Sequence, residues 1–215
     1  MQIRSKQRLI ALALSGAASA AWHGASLAAD PPVAPPPWPV VKDSPVTLAV
    51  DPVRPLLMGS LRVTLDGSSL AATQQAIGVG ASQRHQGKGT DALDWLCYTL
   101  TDAAPAQRLW LTSSELARGR IDAVVAADLP AGAAPTPQCP ELPARFKPVR
   151  FDDGLWLGGI SADLRKALGI PPKTGPIFSS LFQGQTGNLA MVSSTVLELR
   201  AGRVESLHVA HSSQN

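Results

Sequence analysis

The chain has 215 residues, of which 16% are charged, and a formal net charge of +3 at pH 7. Three of its basic residues, Arg4, Lys6 and Arg8, lie at the very start, and the rest of the chain carries as many basic as acidic residues. The part of the chain after residue 8 has no excess of positive charge, and it therefore lacks the attraction that brings proteins to nucleic acids or anionic membranes. We therefore expect neither as a partner.

The first 29 residues have the pattern of a cleavable export signal. An uncharged apolar run at 9–22 follows the basic residues, and small residues lead to Ala28 and Ala29, where a signal peptidase would cut. The run is shorter than the roughly 20 residues of a membrane-spanning helix, which disfavours a retained anchor. No cysteine follows for lipid attachment. The sequence predicts a signal peptide at 1–29 and a periplasmic or secreted protein without stable membrane insertion after cleavage.

Both cysteines, Cys97 and Cys139, lie in the predicted exported part. In an oxidising compartment such a pair most often forms a disulfide, and closing a loop of about 40 residues would stabilise the fold by roughly 3–4 kcal/mol. A redox role would normally use Cys-x-x-Cys spacing, which is absent. We predict a structural disulfide.

Proline is concentrated in two segments. Residues 30–55 contain a Pro-Pro-Val-Ala-Pro-Pro-Pro-Trp-Pro run, which favours an extended spacer, with Trp38 free to pack back onto the domain. A ligand for a proline-binding module is the alternative interpretation. Residues 131–148 lack hydrophobic periodicity and are interpreted as a connection between two halves of the chain.

An internal repeat relates these halves. Residues 65–78 align with 156–169, and residues 115–124 align with 198–207, in the same order and with a loop-sized difference in spacing. We assign that difference to the polar loop at 81–90. Two matching blocks in one order predict two copies of a structural unit.

Each unit is predicted to be a short helix followed by strands. Ser69 and Ser161 stand at N-cap positions, and Gly78 and Gly169 stand where each helix would end. β-branched and aromatic residues then predict strands at 94–100, 107–115 and 120–129, and again at 176–183, 189–200 and 203–211. The last two strands of each unit would meet in a tight turn, at 117–120 and at 200–203. The predicted fold class is α+β, with two tandem units at 56–130 and 149–215, each a short helix followed by a three- to four-stranded antiparallel sheet.

Histidines give no indication of a metal site or of a cofactor. His85 lies in a polar loop, and His208 and His211 are three residues apart, which places them on opposite faces of a strand. The sequence predicts no metal and no cofactor.

Catalytic motifs are also missing from the sequence. Gly-x-Ser-x-Gly, His-Glu-x-x-His and phosphate-binding loops are absent, and no base is placed beside a nucleophile. Adjacent carboxylates and adjacent serines are interpreted as a turn and as solvated strand positions: Asp152 and Asp153, Ser113 and Ser114, Ser193 and Ser194. We do not predict an enzyme, although an unrecognised hydrolase remains the least favoured alternative.

Aromatic residues on the predicted strands suggest a binding surface. Trp110 falls on the opposite strand face from Leu109 and Leu111, so either the tryptophan or the two leucines could be exposed on the surface. Burial in the core and display on an exposed face both remain open. Aromatic side chains with nearby arginines have the composition of a binding hot spot. The candidate binding residues are Trp95, Tyr98, Trp110, Arg108, Arg118 and Arg120.

Residues 159–171, Gly-Ile-Ser-Ala-Asp-Leu-Arg-Lys-Ala-Leu-Gly-Ile-Pro, resemble the helix ending in Leu-Gly-x-Pro of the β-lactamase inhibitory proteins and the related small outer-membrane assembly lipoproteins. The first unit departs from this pattern, because Val79 and Gly80 replace the proline. The lipidation cysteine of the lipoproteins is missing too. The resemblance implies a fold of helices and antiparallel sheets that binds another protein.

These observations favour an exported protein-binding module, an inhibitor or immunity protein against an envelope-acting enzyme or toxin. The alternative is a periplasmic envelope assembly or accessory factor. In both cases the expected partner is another protein.

Overall fold

The computed structural model describes residues 32–86, 92–160 and 176–214. The predicted signal peptide and the second predicted helix, with Ser161 and Gly169, lie outside these residues. Among the described residues, no helix has the length and apolar character needed to cross a bilayer. The elements in chain order are β1 (Val46–Leu48), β2 (Leu56–Met58), β3 (Leu61–Val63), α1 (Leu70–Ile77), β4 (Gln83–His85), β5 (Leu93–Leu100), β6 (Gln107–Ser114), β7 (Ala123–Asp128), β8 (Val149–Phe151), β9 (Ile177–Thr186), β10 (Leu189–Arg200) and β11 (Arg203–Gln214).

Helix α1 begins and ends where the sequence predicts. The Ser69 hydroxyl accepts a hydrogen bond from the amide of Ala72 at 3.2 Å, which satisfies one of the free N–H groups of the first turn. Gly78 ends the helix in the left-handed region, at φ 81°, and its amide donates to the Gln74 carbonyl. Leu70 and Ile77 form the buried side of the helix.

A single eight-stranded sheet, which we call the large sheet, contains strands from both halves of the chain in the order β1-β9-β10-β11-β7-β6-β5-β4. Strand β1 pairs with β9 in parallel, and the other neighbours are antiparallel. The predicted α+β fold of two tandem helix-plus-sheet units is therefore wrong: the described residues are mostly β-strand, with one α-helix, and their strands form one large and one small sheet. The two halves join where β7 pairs with β11, from Ala123 opposite Ala210 to Ala127 opposite Ser206. Separate sheets would leave both strands as unpaired edges, and their pairing removes both edges.

The six predicted strands are confirmed, with ends that differ by a few residues, as β5, β6, β7, β9, β10 and β11. The tight turn between β10 and β11 is confirmed as well, with Ala201 and Gly202 at positive φ. The predicted turn at 117–120 is present too, because the Arg120 amide donates to the Ala117 carbonyl at 3.1 Å and Arg118 and Gly119 have positive φ. It does not join the two strands directly. A 3-10 turn at Glu115–Ala117 follows β6, Arg120 forms a bridge to Ser69, and β7 starts only at Ala123.

A second, three-stranded sheet has the order β3-β2-β8 and packs with α1 against one face of the large sheet, which we call the helix face. The turn between β2 and β3 needs glycine, because Gly59 has φ 58° and an added Cβ would lie 2.3 Å from the Arg145 carbonyl oxygen. Buried residues from all three elements form the main core: Leu56, Met58 and Val63 of the small sheet, Leu70 and Ile77 of α1, and Leu96, Leu109, Leu111 and Leu207 of the large sheet.

The opposite face of the large sheet, the strap face, is crossed by residues 32–45, which we call the strap. The Val33 carbonyl accepts hydrogen bonds from the indole N–H groups of both Trp95 and Trp110, each at 3.0 Å. Further along, the Trp38 ring lies 5.1 Å from the ring of His208 on β11, and the chain then enters β1. The proline-rich segment thus packs across several strands, and Trp38 packs back onto the domain as predicted.

Candidate functional site

The three candidate aromatic residues lie inside the fold, so the burial alternative is the one the structure adopts. Trp95 and Trp110 fill the space between the large sheet and the strap, in a cluster with Val125 and the two cysteines. Tyr98 faces the other way, into the main core, and its hydroxyl donates to the Val79 carbonyl at 3.2 Å. Burial raises the pKa of the Tyr98 phenol above its ordinary value.

Cys97 and Cys139 form a disulfide, as predicted, with their Cα atoms 4.7 Å apart. The hydroxyl of Thr99 donates to the Cys139 carbonyl at 2.9 Å, and the Thr99 amide donates to the Pro140 carbonyl at 2.8 Å. The disulfide and these hydrogen bonds hold the connecting segment beside β5, where it closes one end of the tryptophan cluster.

The three candidate arginines lie in separate places. Arg108 is half-buried under the connecting segment, where its Nη2 donates to the Ala134 carbonyl at 3.5 Å and burial lowers the pKa of its guanidinium. Arg118 is exposed at the left-handed end of the 3-10 turn. Only Arg120 lines an open cavity, and this cavity is the best candidate for a functional site.

That cavity, which we call the cleft, has a volume of about 330 Å³ and lies on the strap face. Its floor is one row of side chains across four neighbouring strands, Thr112 on β6, Ala123 on β7, Ala210 on β11 and Ser194 on β10. The next row along the same face is bulky, with Trp110, Val125, His208 and Val196 in register. A row of small side chains beside a row of large ones creates the depression.

Large apolar side chains stand exposed around the cleft. Trp38 of the strap is 43% exposed, Leu116 of the 3-10 turn is 65% exposed, and Val192 of β10 is 39% exposed. All three line the cleft. An exposed apolar rim around a concave floor is a feature of binding sites rather than of ordinary protein surface.

One of the two carboxylates at the cleft is ion-paired. Arg120 Nη1 lies 3.1 Å from Asp66 Oδ1, and the hydroxyl of Ser213 donates to the same carboxylate. Asp122 accepts a hydrogen bond from the Ser114 amide at 3.0 Å and has no ion pair among the described residues. The cleft therefore presents a mainly apolar surface with the Asp122 carboxylate at its side.

A second cavity, of about 260 Å³, lies beside the cleft between the strap and strands β9 and β10. Trp38 and Ser194 line both cavities, so the indole of Trp38 stands at the boundary between them. The strap therefore shapes the cleft as much as the sheet does.

A serine, a histidine and an aspartate meet next to the cleft, where Asp51 reaches the ends of β10 and β11. The Ser193 hydroxyl lies 2.8 Å from Asp51 Oδ1 and 2.8 Å from His211 Nδ1, and Nδ1 lies 3.4 Å from Asp51 Oδ2. In a catalytic triad the serine and the carboxylate bond to different nitrogens of the histidine ring. Here both approach Nδ1, and Ser193 is fully buried. This cluster fastens residue 51 to the sheet.

Within the described residues, no group of three or more His, Cys, Asp or Glu side chains is arranged to hold a metal ion. Comparison of the chain with protein-family models, with curated proteins and with solved structures finds no match. No family is assigned. Most of the residues that carry the resemblance noted in the sequence, 161–171, lie outside the described residues.

His208, beneath Trp38, predicts a dependence of stability on pH. Burial lowers the pKa of His208 from 6.5 to about 4, because the charged ring would lose its hydration. As the pH falls, the unfolded chain therefore binds a proton at His208 before the folded protein does. The stabilisation that comes from burying the neutral ring is complete above pH 6.5 and is lost as the pH falls towards 4. From pH 7.5 to pH 5, we expect the wild type to lose about 2 kcal/mol more free energy of unfolding than His208→Phe.

Urea denaturation at the two pH values measures this difference. The control is His85→Gln, because His85 is exposed on β4 and the substitution should leave the pH dependence as it is in the wild type. Parallel loss of stability in the wild type and in His208→Phe would show that His208 is not buried as a neutral ring.

Little in the amino-acid sequence indicates the cleft. Its floor residues are small and lie on four strands, and its rim residues Trp38, Leu116 and Val192 come from the strap, a 3-10 turn and a strand. Arg120 is the one predicted binding residue that lines it. The signal available in the sequence was an apolar residue, Leu116, directly before the predicted turn at 117–120.

Proposed function

We propose that this protein is an exported binding module that recognises another protein through the cleft and its apolar rim. The observation that supports this proposal most strongly is the exposure of Trp38, Leu116 and Val192 around a concave floor. Apolar side chains concentrated around a depression gain free energy when a partner removes them from water. An inhibitor or immunity protein against an envelope-acting enzyme or toxin is the form of this function that we favour, since such a protein works by occupying a surface.

Export is supported by two features. The signal-peptide pattern at the start of the sequence predicts it, and a disulfide such as Cys97–Cys139 persists in oxidising compartments. A periplasmic or secreted location would place the cleft where envelope proteins and incoming toxins are encountered.

Charged substitutions on the rim test the binding role. Val192→Asp and Leu116→Asp should each lower the amount of a stoichiometric copurifying protein at least tenfold, because the partner would have to strip the water from an unpaired carboxylate as well as lose an apolar contact. Copurification from the periplasmic fraction, with the mature protein as bait, measures the effect.

Val79→Asp is the matched control. Val79 is 38% exposed, against 39% for Val192, and it follows α1 on the helix face. An equal loss of the partner in Val79→Asp would contradict recognition through the cleft. A wild-type bait that retrieves no stoichiometric protein would contradict the binding role itself.

A further inference from the structure

We propose that the cleft receives an uncharged aromatic side chain of the partner protein, an inference that rests on the proposed function and names what the partner inserts. Three properties of the cleft lead to it: the shape of the floor, the ring at its wall and the pairing of its charges.

The floor is an elongated slot. It crosses four strands, and neighbouring strands are about 4.8 Å apart, so it is roughly 14 Å long. Along the strands it extends from the row of Ala123 and Ala210 to the row of Ser212 and Val192, a distance of about 7 Å. A slot of this outline is large enough for a ring system of the size of indole.

The wall of the slot is itself aromatic. Trp38 is half exposed and is held against His208 by ring contact, so one part of its indole is buried and the rest remains free. Aromatic rings attract one another in offset or edge-to-face arrangements by about 0.5–1.5 kcal/mol beyond the area they bury. A ring from a partner gains this contribution at Trp38, and an aliphatic side chain does not.

The charges at the slot disfavour an anionic occupant. Arg120 is paired with Asp66, so a carboxylate entering the slot would lose its hydration without gaining a free cation. Asp122 accepts the Ser114 amide but has no ion pair among the described residues, so a lysine ammonium is the competing occupant that the binding experiment has to separate. Hydroxyl groups of Thr112 and Ser194 lie on the floor, where they are suited to an indole N–H or a phenol O–H. The volume of about 330 Å³ lies at the lower end of the range for ligand cavities, which fits a single side chain.

Small amides that mimic side chains test this inference directly. N-acetyl-L-tryptophanamide should bind the full-length mature protein with a Kd of about 1 mM, detected by saturation-transfer difference NMR. N-acetyl-L-leucinamide and N-acetyl-L-lysinamide should both give weaker signals. Comparable signals from the tryptophan and lysine amides, or no signal from the tryptophan amide, would overturn the inference.

Variants that fill the slot test whether N-acetyl-L-tryptophanamide binds there. Ala210→Leu and Ser194→Leu place additional carbon atoms on the floor and should each reduce the tryptophanamide signal at least fivefold. Ala76→Leu is the matched control, since Ala76 is exposed on α1 and leucine is a good helix former. Circular dichroism establishes that each variant is folded, and the two filling variants provide independent readings. An undiminished signal in a folded filling variant would overturn the inference.

The two proposals fail in different ways. If the amide does not bind but the rim substitutions still release the partner, the aromatic occupant is wrong and the binding function stands. If the rim substitutions leave the partner bound, the proposed function fails and the inference falls with it.

Discussion

Replacing both Cys97 and Cys139 with alanine should lower the free energy of unfolding by about 4 kcal/mol. The disulfide closes a loop with a sequence separation of 42, and the chain-entropy model assigns about this stabilisation to a loop of that length. Both residues are buried in the tryptophan cluster, so the substitution also removes packing between β5 and the connecting segment. Urea denaturation under non-oxidising and non-reducing conditions compares the double variant with the wild type.

Reduction of the wild-type protein provides the control. Unfolding in the presence of a strong reductant should lower the wild type to nearly the stability of the double variant, and the reductant should leave the variant unchanged. A wild-type protein whose stability does not respond to reductant would contradict a structural disulfide.

Trp110→Ala should cost about 3–5 kcal/mol, the range for removing a large aromatic side chain from a packed interior. Trp110 packs beside Trp95, Val125 and the disulfide, and its indole N–H holds the Val33 carbonyl of the strap. Its removal therefore opens a cavity and weakens the attachment of the strap. Chemical denaturation measures the loss of stability, and limited proteolysis of the strap measures its release.

Trp38→Ala is the matched control for this prediction, because it removes the same side chain from a half-exposed position. It should cost clearly less, about 2 kcal/mol, since a large part of this side chain is already in contact with water. Equal losses in the two variants would show that Trp110 is not the buried anchor of the strap.

Local patterns in the sequence were sufficient to predict the longer elements. β-Branched and aromatic residues identify β5, β10 and β11, and Ser69 and Gly78 mark both ends of α1. The disulfide followed from the presence of two cysteines in a predicted export context. Each of these features depends on residues close in sequence or on a single possible pairing.

Local sequence patterns could not predict which strands pair in the large sheet. The pairing of β7 with β11 joins residues about eighty positions apart, and nothing near Ala123 or Ala210 indicates that partner. The internal repeat pointed to two separate sheets, whereas two similar sets of strands are equally able to join edge to edge. Strands of three residues, such as β1 and β8, are too short to show periodicity.

The site was missed for a related reason. A tryptophan on a strand is apolar on either face, and only the position of the strap makes Trp110 buried and Trp38 exposed. The floor of the cleft is formed by small residues that are adjacent only across strands. Concavity of this kind arises from tertiary structure.

Site-specific photocrosslinking at Leu116 tests whether the cleft is the surface that binds the partner protein. Leu116 is 65% exposed on the rim, and Ile160, which is 56% exposed, lies beside Arg203 at the far end of β11 and serves as the matched position. A photoreactive phenylalanine derivative placed at each position in the exported protein is irradiated in cells. The account predicts one discrete crosslinked protein from position 116 and none from position 160. Equal crosslinking at the two positions, or crosslinking at position 160 alone, would contradict it.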